Sequence, residues 1–431
     1  MASRNLFRSL VGKLVPATTV TNETGGAAYE RTPKQALAQY VATGCLNATY
    51  YASADDQLQN VLALASKVDS EFLARLAVFA RENAWMKDAP ALLCAILSTR
   101  SPEHLAKAFP RVVDNGKFEA FKSAGPKESR QVPDVPFEML TALSLGRDEW
   151  VAIARKASWQ VTRMNLNTFA RRGAFEVAGL ADLVASRLAD PKEVAKARAF
   201  PYQLLAAHSS VGEGVPPVVR DALQDAMEIA IANVPRIEGR VFVCPDVSGS
   251  MASPVTGYRK GATTAIRCID VAALVAAAIV RANPKAEVIP FEEKVVPVDL
   301  NPRDSVMTNA KNLASVGGGG TNCSAALEAL NERKAKGDLV VFVSDNESRA
   351  DPKTGRGTAL MAEWSRFRSR NAGARLACID LQPSATTQAA ESDDVLNVGG
   401  FSDEVFDVLS AFAAGSLAAD HWVGRVEEVV L

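Results

Sequence analysis

The sequence predicts an α-helical repeat solenoid followed by a doubly wound α/β domain. Three observations carry this. Helix-period apolar patterns recur up to about residue 233 with no convincing β-run among them, short apolar strands alternate with helices after residue 239, and the charge balance changes sign at the same join. Residues 1–239 hold 28 basic and 25 acidic side chains, whereas 240–431 hold 20 and 24.

The first 32 residues read as an N-terminal arm. Its first 22 positions carry Arg4, Arg8 and Lys13 and no acid, without the apolar core of a secretory signal. From 33 to 235 the spacing predicts about twelve short helices. Phe72, Leu73, Leu76, Phe79 and Ala80 share one face, with Glu71 and Arg75 paired on the outer side, and Val219, Leu223, Ala226, Met227 and Ala230 repeat the pattern. Start signals stand at Thr32 before Pro33, at Ser53 with Asp56 three residues on, and at Ser101 before Pro102. Brief linkers favour stacked antiparallel pairs, although no tetratricopeptide or ankyrin consensus appears.

The segment 236–431 alternates. Strands are expected at 240–246, 286–291, 294–300, 339–345, 374–381 and 394–398, the second and third as an edge hairpin. Helices are expected at 264–282, 305–315, 322–335, 358–370 and 402–415. In such a domain, ligands collect outside the carboxyl ends of the strands.

Composition narrows the classes. The 431 residues carry 48 Lys+Arg against 49 Asp+Glu, with 48% hydrophobic and 23% charged residues, which excludes wholesale disorder and a uniformly basic coat for nucleic acid. The longest apolar run, 271–280, is about half of a membrane span. Six scattered cysteines and three histidines suggest neither a zinc site nor a disulfide framework, and a reducing cytoplasm is expected.

Three pieces of the second half fall on strand ends or adjoining loops: DVSGSM at 246–251, Thr321 closing GGGGT, and Asp345 in VFVSDNE. All offer hard oxygens. Asp246, Ser248 and Ser250 alternate, so an extended loop can aim them at one point, and Asp345 supplies a second carboxylate for a magnesium-like dication. A plainer reading has the serines merely capping the next helix. Phosphate cradling by the glycine run is not supported, because no Lys follows as the P-loop pattern requires. A hydrolase would need a base beside a metal-bound water, and Asp270, Glu292 and Glu347 qualify only by nearness in sequence; Cys323 lacks a nearby histidine.

These elements resemble the metal-ion-dependent adhesion site of von Willebrand factor A domains, with D-x-S-x-S, Thr and Asp in order. The resemblance implies Mg²⁺, or another divalent cation, touched directly by Ser248, Ser250 and sometimes Thr321, with Asp246 and Asp345 acting largely through water. In the first half, TGCLNATYYASADDQL (43–58), ARENAWMKDAPALLCAIL (80–97) and ARAFPYQLLAAHSS (197–210) are similar to segments of the TROVE family of Ro ribonucleoproteins, as are the motifs of the second half. The family resemblance implies HEAT-like helical repeats closed into a ring by the A domain. It also implies binding of Y RNA and other small RNAs on the outside and of single-stranded 3′ ends of misfolded non-coding RNAs through the ring. The helical half is shorter than in vertebrate members, and the basic, histidine-containing helix that helps hold Y RNA there is not found between about 110 and 150.

RNA affinity rests on Lys and Arg neutralising phosphates, so a local basic surface is needed and a basic total is not. Residues 151–200 hold nine basic and four acidic side chains. Arg155, Lys156, Arg163, Arg171 and Arg172 dominate, and they cannot form one stripe on an ideal helix because positions eight apart are rotated by about 80°. Lys87 and Arg81 are further candidates, and Tyr50, Tyr51 and Trp159 are candidate stacking platforms, though such aromatics more often pack between helices. The expectation is a non-catalytic, cytoplasmic RNA-binding protein whose partner is small non-coding RNA, with an exoribonuclease or other protein able to supply an acidic ligand to the metal, and with neither membrane nor DNA. The alternative is a Mg²⁺-dependent protein-binding adaptor; a third reading is a metal-dependent phosphohydrolase.

Overall fold

The computed structural model describes residues 16–18, 20–22, 25–43, 47–49, 51–83, 86, 88–113, 146–197, 199–258, 266–301, 303–345, 357–382, 384–400, 405–416 and 421–431. Contacts divide the chain into two compact units: Met1–Val112 with Pro235–Leu431, and Val113–Val234. One division falls between Val234 and Pro235, and the first 112 residues group with the C-terminal domain and not with the later helices.

In chain order, β1 (Val20–Thr21) and β2 (Ala27–Glu30) precede five helices: α1 (Pro33–Thr43), α2 (Ala54–Ser66), α3 (Ser70–Glu82), α4 (Asp88–Arg100) and α5 (Pro102–Val113). Local chemistry starts each helix where it begins. Ser53 and Asp56 form a reciprocal capping box on α2, and Asp69 caps α3 through the Phe72 amide. Phe72, Leu73, Leu76, Phe79 and Ala80 are all buried on α3, while Glu71 and Arg75 pair outside at 2.6 Å.

The second unit holds α6 (Arg147–Lys156), α7 (Trp159–Met164), α8 (Leu166–Arg171), α9 (Leu180–Leu188), α10 (Pro191–Lys196), α11 (Pro201–Ser210) and α12 (Pro217–Ala230). The apolar face of α12, including Val219, Leu223, Ala226 and Met227, packs on α9, α10 and α11. Trp150 meets Phe169 edge-on with centroids 6.1 Å apart, tying α6 to α8. Among the described residues, helices alone occupy 33–233, as the periodicity predicts.

The rest of the first unit contains β3 (Val241–Pro245), α13 (Cys268–Ala282), β4 (Glu287–Val288), α14 (Val306–Leu313), α15 (Ala325–Glu332) and β5 (Leu339–Ser344). After these come α16 (Ala359–Arg368), β6 (Arg375–Asp380), β7 (Thr386–Thr387), β8 (Val395–Gly399), α17 (Val405–Ala413) and α18 (His421–Glu427). Five strands form one parallel sheet in the order β4-β3-β5-β6-β8. Both β3 and β5 are buried along their whole length, which is why they read as unbroken apolar runs. The apolar run 271–280 is the body of α13, wholly buried against β3, β5 and α14, and no described helix is long and apolar enough to cross a membrane.

Two expectations change here. The hairpin strand at 294–300 does not form: Phe291 bridges Val295 across a tight turn, the Val296 amide donates to Pro290 O, and Pro297 follows without a ladder donor. The arm expected over 1–32 contains part of a sheet, since β2 pairs with both β1 and β7 in a small antiparallel sheet. At the other end α18 packs on α1 and α3, and Arg75 donates to Val429 O at 2.8 Å and to Glu427 O. These two returns are why the first 112 residues join the C-terminal domain.

Candidate functional site

The sheet order fixes where a ligand can sit. Numbered within the parallel sheet, the strands run 2-1-3-4-5, so the chain leaves β3 toward β4 on one side and resumes at β5 on the other. The crevice at this switch point opens at the carboxyl ends of β3 and β5. Asp246 directly follows β3, and Asp345 directly follows β5.

The register brings them together. Pro245 pairs with Val343, the Asp246 amide donates to Val343 O at 2.9 Å, and Ser344 Oγ donates to Asp246 Oδ2 at 2.6 Å. The other oxygen, Oδ1, accepts from the Ser248 amide at 2.8 Å, and the Ser248 and Ser250 hydroxyls lie 3.2 Å apart. Residues 249–252 form a single helical turn, but Ser248 makes no side-chain capping bond to it. The serines therefore do not serve as simple caps.

Four glycines complete the cradle. The Gly318 amide donates to Val247 O at 2.8 Å, and the Gly249 amide donates to Gly319 O at 2.9 Å, so the two loops meet backbone to backbone. At Gly317 a side chain would collide with Val247 O, and its φ of 85° is left-handed as well. This contact holds Thr321, two residues past Gly319, at the same end of the sheet. Asp246, Ser248, Ser250, Thr321 and Asp345 are all buried.

The electrostatics favour a cation. Burial pushes the Asp246 carboxyl above its ordinary range, with Glu292 adding to the rise, while the bonds from Ser344 and Ser248 oppose it. Among the described residues, the groups bonded to it are hydroxyl and amide donors, and none is cationic. Among the described residues no three His, Cys, Asp or Glu side chains gather into a metal cage. The side chains that could hold an ion here are two carboxylates and hydroxyls, a hard-oxygen set that would fit a magnesium-like dication and not a thiolate-seeking metal.

Sequence reasoning missed the part played by Glu292. Its Oε2 accepts from the Gly319 amide at 2.6 Å, so it pins the glycine loop from the β4 side. The signal was its place directly after Phe291, which bridges Asp246. Asp270 instead caps α13 and pairs with Arg267 at 2.7 Å, Cys323 is buried, and Glu347 lies outside the described residues. The five described cysteines are all buried thiols.

The basic candidates separate. Arg155 and Lys156 are exposed at the end of α6, where Arg187 also reaches the carbonyls of Ala154 and Ala157. Arg171 and Arg172 are exposed at the end of α8, one short turn before Glu176, which pairs with Arg147 at the start of α6. The two pairs thus stand toward opposite ends of α6, a helix about 15 Å long. Arg163 is turned inward: it donates to Gln203 O at 2.8 Å and to Gln160 Oε1. Trp159 is buried and donates to Leu188 O at 3.1 Å, so it packs between helices and offers no stacking face. Arg81 donates to Met86 O at 3.3 Å, and Tyr51 is half-buried. Lys87 and Tyr50 lie outside the described residues.

Comparison with known proteins agrees with this architecture. The family model of the Ro60 vWA domain matches residues 240–413. A relative from Deinococcus radiodurans, RNA-binding protein RO60, is 27% identical over 246 residues, a match covering 54% of this chain and 45% of that relative. The crystal structure of the Ro (RSR) protein of Deinococcus radiodurans superposes with a TM-score of 0.55 at 22% identity, over 89% of this chain and 83% of that one. The segment 240–413 is thus similar to the Ro60 vWA domain, in a chain that shares its fold with a Ro protein.

Proposed function

We propose that this protein binds RNA through the basic surface of its second unit and does no chemistry on it. The observation that carries the reading is the exposure of Arg155, Lys156, Arg171 and Arg172 at the two ends of α6, in a chain similar to a protein named for RNA binding. Two cation pairs set toward opposite ends of α6 do not share one phosphate, so they favour a backbone that runs along the helix. The RNA is proposed to be a small or misfolded non-coding RNA with a single-stranded 3′ end, held in the cytoplasm by HEAT-like repeats in a ring, as the family resemblance implies.

At the switch point, Ser248, Ser250 and Thr321, with Asp246 and Asp345 behind them, would hold Mg²⁺. Such an ion supplies an open coordination position for an outside oxygen anion, for instance an acidic side chain of an exoribonuclease. Asp246 and Asp345 balance its charge, and the glycine loop positions Thr321.

The test is binding of an RNA with a structured stem and a single-stranded 3′ tail across a salt series. Binding is expected at about 50 mM salt, with a steep fall as salt rises. Replacing Arg155, Lys156, Arg171 and Arg172 together by Ala should reduce both affinity and salt slope. No binding at about 50 mM salt, or an unchanged slope in the variant, overturns the reading. A protein complex lost on Asp246→Ala in the absence of RNA binding would support the adaptor alternative instead.

A further inference from the structure

Glu292 belongs to none of the three motif pieces at the switch point, yet it holds the chain on both sides of Thr321. Its Oε2 accepts from the Gly319 amide at 2.6 Å, and its main-chain O accepts from the Asn322 amide at 2.9 Å. The approach is close, since a Cβ on Gly319 would lie 2.8 Å from Glu292 Oε2. The next residue adds to the clamp: Glu293 Oε1 would lie 2.9 Å from a Cβ on Gly320, and Asn322 Nδ2 donates to Glu293 O at 3.4 Å. Thr321 is therefore carried in a span, 319–322, whose two ends are tied to residues 292 and 293.

The same segment is anchored to the serine loop. The Phe291 amide donates to Pro245 O at 3.1 Å, and the Val247 amide donates to Phe291 O at 2.8 Å. Gly319 closes the circuit, because its carbonyl accepts from the Gly249 amide at 2.9 Å, between Ser248 and Ser250. Through Gly319, one side chain thus sets the serine hydroxyls and Thr321 relative to each other. Removing that side chain opens the link at Gly319 and leaves the main-chain bond to Asn322 in place.

Glu292 acts on the site from outside. Its carboxylate is committed to the loop backbone, and among the described residues it does not gather with Asp246 and Asp345 into a three-acid cage. Its charge is nevertheless felt at Asp246, so placement and charge have to be told apart. They differ in what they do to different cations. Mg²⁺ demands near-ideal octahedral geometry at about 2.0–2.1 Å, whereas Ca²⁺ accepts flexible arrangements at about 2.3–2.6 Å. A cradle that loosens by roughly a few tenths of an ångström loses Mg²⁺ and keeps Ca²⁺, while a lost charge weakens both dications alike.

We propose that Glu292 is a positioning residue that determines cation specificity: by clamping Gly319 it sets Thr321 and the serine loop for a small octahedral dication, and so selects Mg²⁺ over Ca²⁺. The inference rests on the reading that the switch point holds a divalent cation, and it adds the residue that decides which one. It is independent of the basic surface on the second unit.

Titrate the full chain with Mg²⁺ and with Ca²⁺ by calorimetry, as wild type, Glu292→Ala and Glu292→Gln. The glutamine loses the charge but keeps an oxygen that can accept from the Gly319 amide. Glu292→Ala should weaken Mg²⁺ by about tenfold or more and Ca²⁺ by less than about threefold, and Glu292→Gln should hold Mg²⁺ within about threefold of the wild type. Amide hydrogen exchange at Gly319 in EDTA is a readout that involves no cation: it should quicken in Glu292→Ala and not in Glu292→Gln. A general loss of fold moves both cations together, so the ratio of the two affinities separates placement from stability. Unchanged Mg²⁺ affinity in Glu292→Ala, equal weakening of both cations, or a Glu292→Gln as weak as Glu292→Ala overturns the proposal and leaves the cation reading standing. A wild type that binds neither cation overturns that reading, and the proposal with it.

Discussion

Ser344 and Asp246 are joined across two parallel strands by a 2.6 Å hydrogen bond inside the protein, 98 residues apart in sequence. The bond holds a buried carboxylate without neutralising it. Removing that charge relieves a desolvation cost, whereas a bound dication turns the same charge into an asset. In EDTA, Asp246→Asn should therefore melt no lower than the wild type. With Mg²⁺ at about 100 times its Kd, the wild type should gain about 2.7 kcal/mol and the variant almost nothing. Thermal melts with and without the ion measure both arms.

Gly317 tests the backbone contact between the two loops. Gly317→Ala must accept a left-handed φ and a collision with Val247 O, so a loss of about 2 kcal/mol or more is expected, together with weaker Mg²⁺ binding. Gly373→Ala, where a side chain meets nothing within 4 Å, is the control and should stay within about 0.5 kcal/mol in denaturant melts.

Asp380 makes stability depend on pH. Burial pushes its carboxyl up to about 6, against the pull of Arg31. Because the folded value lies above the unfolded one, this group favours the folded state most below about pH 4 and loses that contribution as pH rises through 6. Relative to Asp380→Asn, the wild type should lose about 2 kcal/mol of stability between pH 4 and pH 7. Equal pH slopes in the two proteins would refute this.

Arg163 and Trp159 should separate packing from recognition. Arg163→Ala removes the bond to Gln203 O, and Trp159→Phe removes the one to Leu188 O. Each is expected to cost about 1–2 kcal/mol in denaturant melts. Neither should change the salt slope of RNA binding, which Arg171→Ala together with Arg172→Ala should reduce.

The legible parts of the sequence were those written locally. Strand β5 could be read from LVVFVS, and α3 from the spacing of Phe72, Leu76 and Phe79, because burial imposes a period on neighbouring residues. Asp246 and Asp345 were legible because strand ends set their positions. What could not be read depends on partners far along the chain. Nothing near Ala27–Glu30 announces its pairing with Thr386–Thr387, and VVPV at 295–298 carries a strand-like composition that finds no ladder. A charge count grouped Arg155 with Arg171, whereas the course of α6 sets them toward opposite ends. Glu292 qualifies in the sequence only by its nearness to the motif, because its target, the Gly319 amide, lies 27 residues on.

The docking of α18 on α1 and α3 has a consequence for biosynthesis. The second unit is continuous in sequence and can complete its core as soon as residue 234 has cleared the ribosome. The first unit cannot, because Val426 belongs to the same apolar cluster as Leu37, Leu73 and Leu76. About 300 residues separate the end of α5 from α18, which at about 5–20 residues per second is roughly 15–60 s. Through that interval α2 and α4 can already pack on α1 and α3, but the strip that α18 covers stays open, so the last part of the first unit's core closes only when synthesis is nearly complete.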